Sequence, residues 1–141
     1  MQKLALSLAL AILCPTIAGC ETSCGERRDP VLWADGIVFE QDGKETYLTT
    51  PVDGKWLHFP SYRQFRLRHG FDTKNIDISA WVSMDERPVS KGETEPPKEF
   101  AVASGNVIVV TELTENDVVV ENGTCENDYY ILVKLAKLGD D

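Results

Sequence analysis

An all-β fold is predicted: a single antiparallel β-sandwich of immunoglobulin-like architecture with about seven to nine short strands. Three observations point to it. Turn dipeptides Asp42-Gly43, Asp53-Gly54 and Asn122-Gly123 separate short apolar runs, and such pairs suit the positive φ that tight hairpin turns require. Apolar and polar residues alternate at period two over Ile76–Met84, the spacing that puts one face of a strand into a core, and Val107, Val109, Thr111 and Leu113 alternate with Ile108, Val110 and Glu112. No segment carries a long amphipathic helical stripe.

In chain order, Ile37, Val38 and Phe39 run into Asp42-Gly43, and Tyr47 and Leu48 follow. Asp53-Gly54 then separates Leu48 from Trp56, Leu57 and Phe59, which predicts a three-strand meander. The stretch Ser61–Gly70 carries two signals. Ser61 with Gln64 fits a capping box and Gly70 a helix stop, but Phe65, Leu67, His69 and Phe71 alternate with Arg66, Arg68 and Gly70, and strand is the expectation. Ile76, Ile78, Ala80, Val82 and Met84 share one face of the next strand, with Asp77, Ser79, Trp81 and Ser83 on the other. Pro88, Pro96, Pro97, Gly92 and many charges make Asp85–Glu99 an exposed loop. Strands at Val107–Leu113, Val118–Val120 and Tyr129–Leu135 complete the set, the last two joined through Asn122-Gly123. Arg68-His69-Gly70-Phe71-Asp72-Thr73 and the strand after it are similar to the strand, His-Gly or His-Asn turn, and strand of small β-sandwich domains at the tips of phage tail fibres; the resemblance implies strand here and nothing about function.

The first 19 residues read as an export signal. Lys3 precedes the apolar run Leu4–Leu13, and Pro15, Thr16, Ala18 and Gly19 lead to Cys20, the order of a basic, an apolar and a cleavage region. The run is too short to span a bilayer, which takes about 20 apolar residues. Ile17-Ala18-Gly19-Cys20 resembles the lipobox of bacterial lipoproteins. That resemblance implies removal of residues 1–19, acylation of Cys20, a lipidated tether over residues 20–30 and a domain over residues 31–141. An ordinary signal cut nearby, or a retained anchor, is the alternative. Two or three acyl chains would hold the protein to the membrane lastingly, since each buried methylene contributes about 0.8 kcal/mol and one chain alone binds reversibly. Glu21 after Cys20 is not the Asp that retains many lipoproteins at the inner membrane in enterobacteria, so the resemblance implies an outer-membrane address within the cell envelope.

With that processing, Cys14 leaves with the signal, Cys20 carries lipid, and Cys24 and Cys125 remain. In an oxidising compartment these two are expected to form a disulfide, free thiols or intermolecular pairing being the alternatives. A closed loop of about 100 residues stabilises by roughly 4 to 5 kcal/mol in the chain-entropy description. Loss of Lys3 makes the mature chain one unit more acidic than the net −9 of the whole sequence. Such a charge gives no general attraction for nucleic acid or an anionic membrane surface.

No catalytic residue, cofactor or metal set is read from the chain. Only His58 and His69 are available as histidines, no Gly-x-Ser-x-Gly elbow occurs, and the oxygen-rich cluster Glu121, Asn122, Glu126, Asn127 and Asp128 does not follow the EF-hand spacing. The local departure from acidity runs from Lys55 to Lys74. There Arg63, Arg66 and Arg68, with Trp56 and Tyr62 near in sequence, form a candidate recognition surface for carboxylates, sugars or proteins; the plainer reading is an outer sheet face whose arginines are solvated or paired with Asp and Glu. The expected function is non-catalytic: a lipid-anchored envelope protein that binds a protein or glycan or helps organise the envelope. An inhibitor or immunity-type protein using the acidic loop Asp85–Glu99 is the alternative, and a small hydrolase a more remote one.

Overall fold

The computed structural model describes residues 30–89 and 99–139. Ten strands form two sheets: β1 Leu32–Ala34, β2 Ile37–Gln41, β3 Lys44–Leu48, β4 Leu57–His58, β5 Gln64–Arg68, β6 Ile76–Ser83, β7 Phe100–Val102, β8 Val109–Leu113, β9 Asp117–Glu121 and β10 Tyr130–Lys137. The smaller sheet has the order β1-β5-β9-β8, and the larger β2-β3-β10-β6-β7 with β4 also on β10. The two-layer sandwich is the expected architecture. Its strand order is its own: the last strand is central in the larger sheet, and β1 runs parallel to β5, whereas the immunoglobulin order places its last strand beside the second-to-last in the CFG sheet.

Period-two side-chain alternation builds the core. Phe65 and Leu67 of β5 and Val118 and Val120 of β9 meet Tyr47 of β3, Ala80 and Val82 of β6, and Ile131, Val133 and Leu135 of β10, all buried. Within Ser61–Gly70 the strand is Gln64–Arg68, entered through a turn at Ser61 and Tyr62; Phe65, Leu67, His69 and Phe71 are buried while Arg68 and Gly70 are exposed. A helix would have scattered these residues around its circumference.

Two expectations are corrected. The meander stops after one hairpin: Asp42 and Gly43 adopt φ of 54° and 73° and close β2 onto β3, but β3 has β10 on its other side, so no edge is left for the next strand. The chain instead turns at Asp53-Gly54, with the Gly54 N–H donating to Pro51 O at 2.8 Å, and β4 pairs with β10. Second, Val107 lies in a 3₁₀ turn, Gly105–Val107, and β8 begins at Val109 with a bulge between Val110 and Glu112, which ends the simple alternation. The short strands β1 and β7 bring the count among the described residues to ten; three residues each are too few for a periodic pattern to register.

Tyr47 ties the layers together. Its hydroxyl donates to the Ala34 carbonyl at 2.8 Å, joining β3 of one sheet to the end of β1 in the other. Burial, and secondarily the charge of Asp35, push this phenol above its ordinary pKa, so it stays a donor.

Candidate functional site

Of the anticipated surface, the structure brings together Arg66 and Arg68 and sets Arg63, Trp56 and Tyr62 apart from them. Arg66 and Arg68 project from the outer face of β5, and both guanidinium groups lie over the ring of Trp33 on β1, at 5.6 and 4.4 Å from its centroid. Both are already paired. Arg66 donates to both Glu112 oxygens, at 2.8 and 2.7 Å, and Arg68 Nε lies 3.5 Å from Asp117. The hydrogen bond to Glu112 raises the Arg66 pKa, and the same bond lowers that of Glu112. This is the geometry of a solvated outer face whose charges are satisfied across strands.

Trp56 and Tyr62 do not join this surface. The chain changes sheets between β4 and β5, leaving Trp56 buried on the larger sheet and half-buried Tyr62 in a turn at φ 56°, its N–H bonded to Asn122 O. Arg63 is half-buried beside that turn, with Asn122 N–H donating to its carbonyl. Sequence proximity does not survive the crossover.

Trp56 instead belongs to a feature that sequence reasoning missed. An outer sheet face in a sandwich ordinarily carries polar side chains. On the larger sheet, Leu48, Trp56 and Leu132 form a second buried cluster with Trp81 and Tyr130 packed against it. Around it lies a groove of about 360 Å³, lined by Phe39, Leu48, Val52, Trp56, Trp81, Val89, Phe100 and Leu132, with Gln41 and Lys134 contributing polar groups. Its floor crosses β2, β3, β10, β6 and β7 in sheet order, and four interstrand spacings of about 4.8 Å give a length of roughly 19 Å. The segment Thr49–Trp56 forms one wall, pinned where Trp56 Nε1 donates to Val52 O at 3.1 Å, where Trp56 N–H donates to Glu86 O at 2.8 Å, and where the Trp56 ring meets Phe100 edge-on at 5.9 Å. Phe39, Val52 and Phe100 remain 36%, 48% and 47% exposed, so the rim is open to a ligand. The legible signal was Trp81, the one large apolar side chain on the polar face of its strand.

The remaining candidates sit as follows. His58 lies on the surface with Nε2 2.9 Å from Asn127 O and its ring 5.2 Å from Tyr130. His69 is buried, its Nδ1 accepting from the Phe71 N–H at 3.2 Å. Asn122 is fully buried as the hub of its turn. Glu126 Oε1 accepts the N–H groups of Asn127 and Asp128, so the oxygen-rich segment is hydrogen-bonded within itself. Among the described residues no three His, Cys, Asp or Glu side chains are grouped to hold a metal ion. Cys125 is disulfide-bonded, while Cys20 and Cys24 lie outside the described residues, as does most of the loop Asp85–Glu99. Comparison with known proteins returns no matching family model, no matching curated protein and no matching solved structure.

His69 carries a pH prediction. Burial lowers its pKa, with Asp117 opposing weakly, so the folded state resists a proton that the unfolded chain accepts near pH 6.5. The unfolded state therefore binds more protons, and stability is full above about pH 6.5 and falls as pH drops toward the lowered folded value. Thermal midpoints should decline on acidification through this window, and His69→Phe should flatten that part of the curve. An unchanged slope in the variant would assign it to other groups.

Proposed function

We propose that this protein is a non-catalytic bacterial envelope lipoprotein, anchored through lipid on Cys20, whose sandwich binds its partner in the groove across the larger sheet. The groove carries this reading. Its volume falls within the range of small-ligand sites, roughly 300 to 1,000 Å³, and it shares their makeup of apolar and aromatic walls with few polar groups. The arginine face is the weaker candidate because its charges are already met by Glu112 and Asp117. A glycan fits the groove poorly, since its many hydroxyls would be desolvated against Leu48, Val52 and Leu132 without hydrogen-bonding partners.

Two variants test the reading. Cys20→Ala should leave unprocessed precursor without lipid label. Phe100→Glu, at the exposed rim, should abolish crosslinking between the processed protein and its envelope partner while the domain stays folded, loss of the ring contact with Trp56 costing about 1 kcal/mol. Normal lipid labelling of the first variant would overturn the anchor, and undiminished crosslinking by the second would overturn the groove.

A further inference from the structure

The groove does not end blindly. At its β2–β10 end it meets a second concavity of about 220 Å³, lined by Gln41, Asp42, Lys44, Thr46, Lys134 and Ala136. Gln41 and Lys134 line both, so one continuous depression passes from aromatic and aliphatic walls to a polar end. Lys134 Nζ donates to Gln41 Oε1 at 2.9 Å, which fixes the ammonium at the junction and leaves two of its protons for another acceptor. Among the described residues, neither Lys44 nor Lys134 has a carboxylate within ion-pair distance, whereas Lys55, Arg66, Arg68 and Lys137 each do. Asp42 is the one acidic residue lining the polar end. In a chain of net charge −9, a hollow with two lysines and one aspartate is a local inversion of sign.

We infer that the site takes a single-chain amphiphile, its hydrocarbon chain lying across the strands from Leu48 toward Phe100 and its anionic oxygen head, carboxylate or phosphate, held by Lys134 and Lys44. This rests on the groove being the binding site and names what fills it. The apolar part offers dispersion contacts and water exclusion along the three interstrand spacings from Leu48 on β3 to Phe100 on β7, roughly 14 Å. The polar end supplies charge-assisted hydrogen bonds where a chain would carry its head. A peptide would leave backbone amides facing Leu48, Leu132 and Trp81 without partners, which a hydrocarbon chain does not.

The test uses the processed, lipid-anchored protein in phospholipid vesicles and three photoactivatable probes of equal chain length: a fatty carboxylate, a phosphate-headed lysolipid and a fatty alcohol. Labelled peptides are mapped by mass spectrometry. The anionic probes should label peptides containing Trp56, Trp81 or Leu132 at about one tenth of the concentration the alcohol needs, the factor that about 1.4 kcal/mol from a charge-assisted bond would give. Lys44→Gln/Lys134→Gln should erase that preference while leaving alcohol labelling in place. Preference for either anionic head supports the inference and identifies the head. Equal labelling by all three probes, or a preference that survives the double substitution, overturns it and leaves the groove standing as a binding site. If no probe labels these peptides while Phe100→Glu still abolishes partner crosslinking, the occupant is not an amphiphile and again only this inference fails. Absence of labelling together with undiminished crosslinking in Phe100→Glu overturns both.

Discussion

Asn122→Asp is expected to destabilise the domain by about 3 to 5 kcal/mol, the cost of leaving a buried charge uncompensated. Asn122 follows β9 where the chain crosses to the larger sheet, and it is fully buried. Its side-chain nitrogen donates to Phe59 O at 2.7 Å and Glu126 O at 3.1 Å, while its oxygen accepts from the Thr124 N–H and hydroxyl at 2.9 and 2.6 Å. Its backbone bonds to Arg63 and Tyr62, so one residue holds the turn before β5, the end of β4 and the approach to β10 together. The aspartate is isosteric but aims an oxygen at two carbonyls that had a donor. Urea unfolding should show a lowered midpoint with unchanged slope, since the surface exposed on unfolding is the same. Thr124→Val, which removes only one hydroxyl of the same network, should cost about 1 kcal/mol. Comparable losses in the two variants would show that Asn122 is not the hub. Asn122-Gly123-Thr124 also has the form of an N-glycosylation acceptor, and in the fold its amide nitrogen is occupied by two carbonyls and faces no solvent.

Gly36→Ala should cost about 3 kcal/mol, the upper part of the range for overpacking. A Cβ at this position would lie 2.3 Å from the Tyr47 ring and 2.4 Å from the Leu48 carbonyl oxygen. Neither can yield easily. The Tyr47 ring is fully buried and its hydroxyl is committed to Ala34, and the Leu48 carbonyl belongs to the strand that carries the groove floor. Relief should therefore come from displacing the turn between β1 and β2, breaking the link between the sheets. Gly36→Ala combined with Tyr47→Leu should be less destabilising than the sum of the two single changes, because the smaller side chain makes room. Strict additivity would mean that the ring is not what excludes a side chain here.

The sandwich was legible because most of its strands show one period. The alternation of Ile76, Ile78, Ala80 and Val82 against Asp77 and Ser79, and of Phe65, Leu67, His69 and Phe71 against the arginines, states which side faces the core without knowledge of any partner strand. Sheet membership was not legible. Asp42-Gly43 and Asp53-Gly54 look alike as dipeptides, and only the presence of β10 beside β3 makes the first a hairpin and the second a bend in a covering loop. The same non-local pairing scattered the anticipated basic surface: Glu112 and Asp117 reach Arg66 and Arg68 through strands more than forty residues further along the chain. The groove was the least visible feature, because it collects one or two side chains from each of five strands and a loop. Trp81 among aspartate and serines was its only local trace.

Oxidative footprinting of the tryptophans, carried out on the protein in its native envelope, tests the groove most directly. Trp33 on the smaller sheet and Trp81 on the larger face opposite sides of the sandwich, so each reports on one surface. The rim residue Phe100 reports with Trp81. With the groove occupied, Trp81 and Phe100 should be protected while Trp33, 55% exposed, is modified, and extraction of bound molecules should unmask the first two. Free modification of Trp81 and Phe100 in the envelope, with Trp33 protected, would contradict the groove and place the contact on the arginine face.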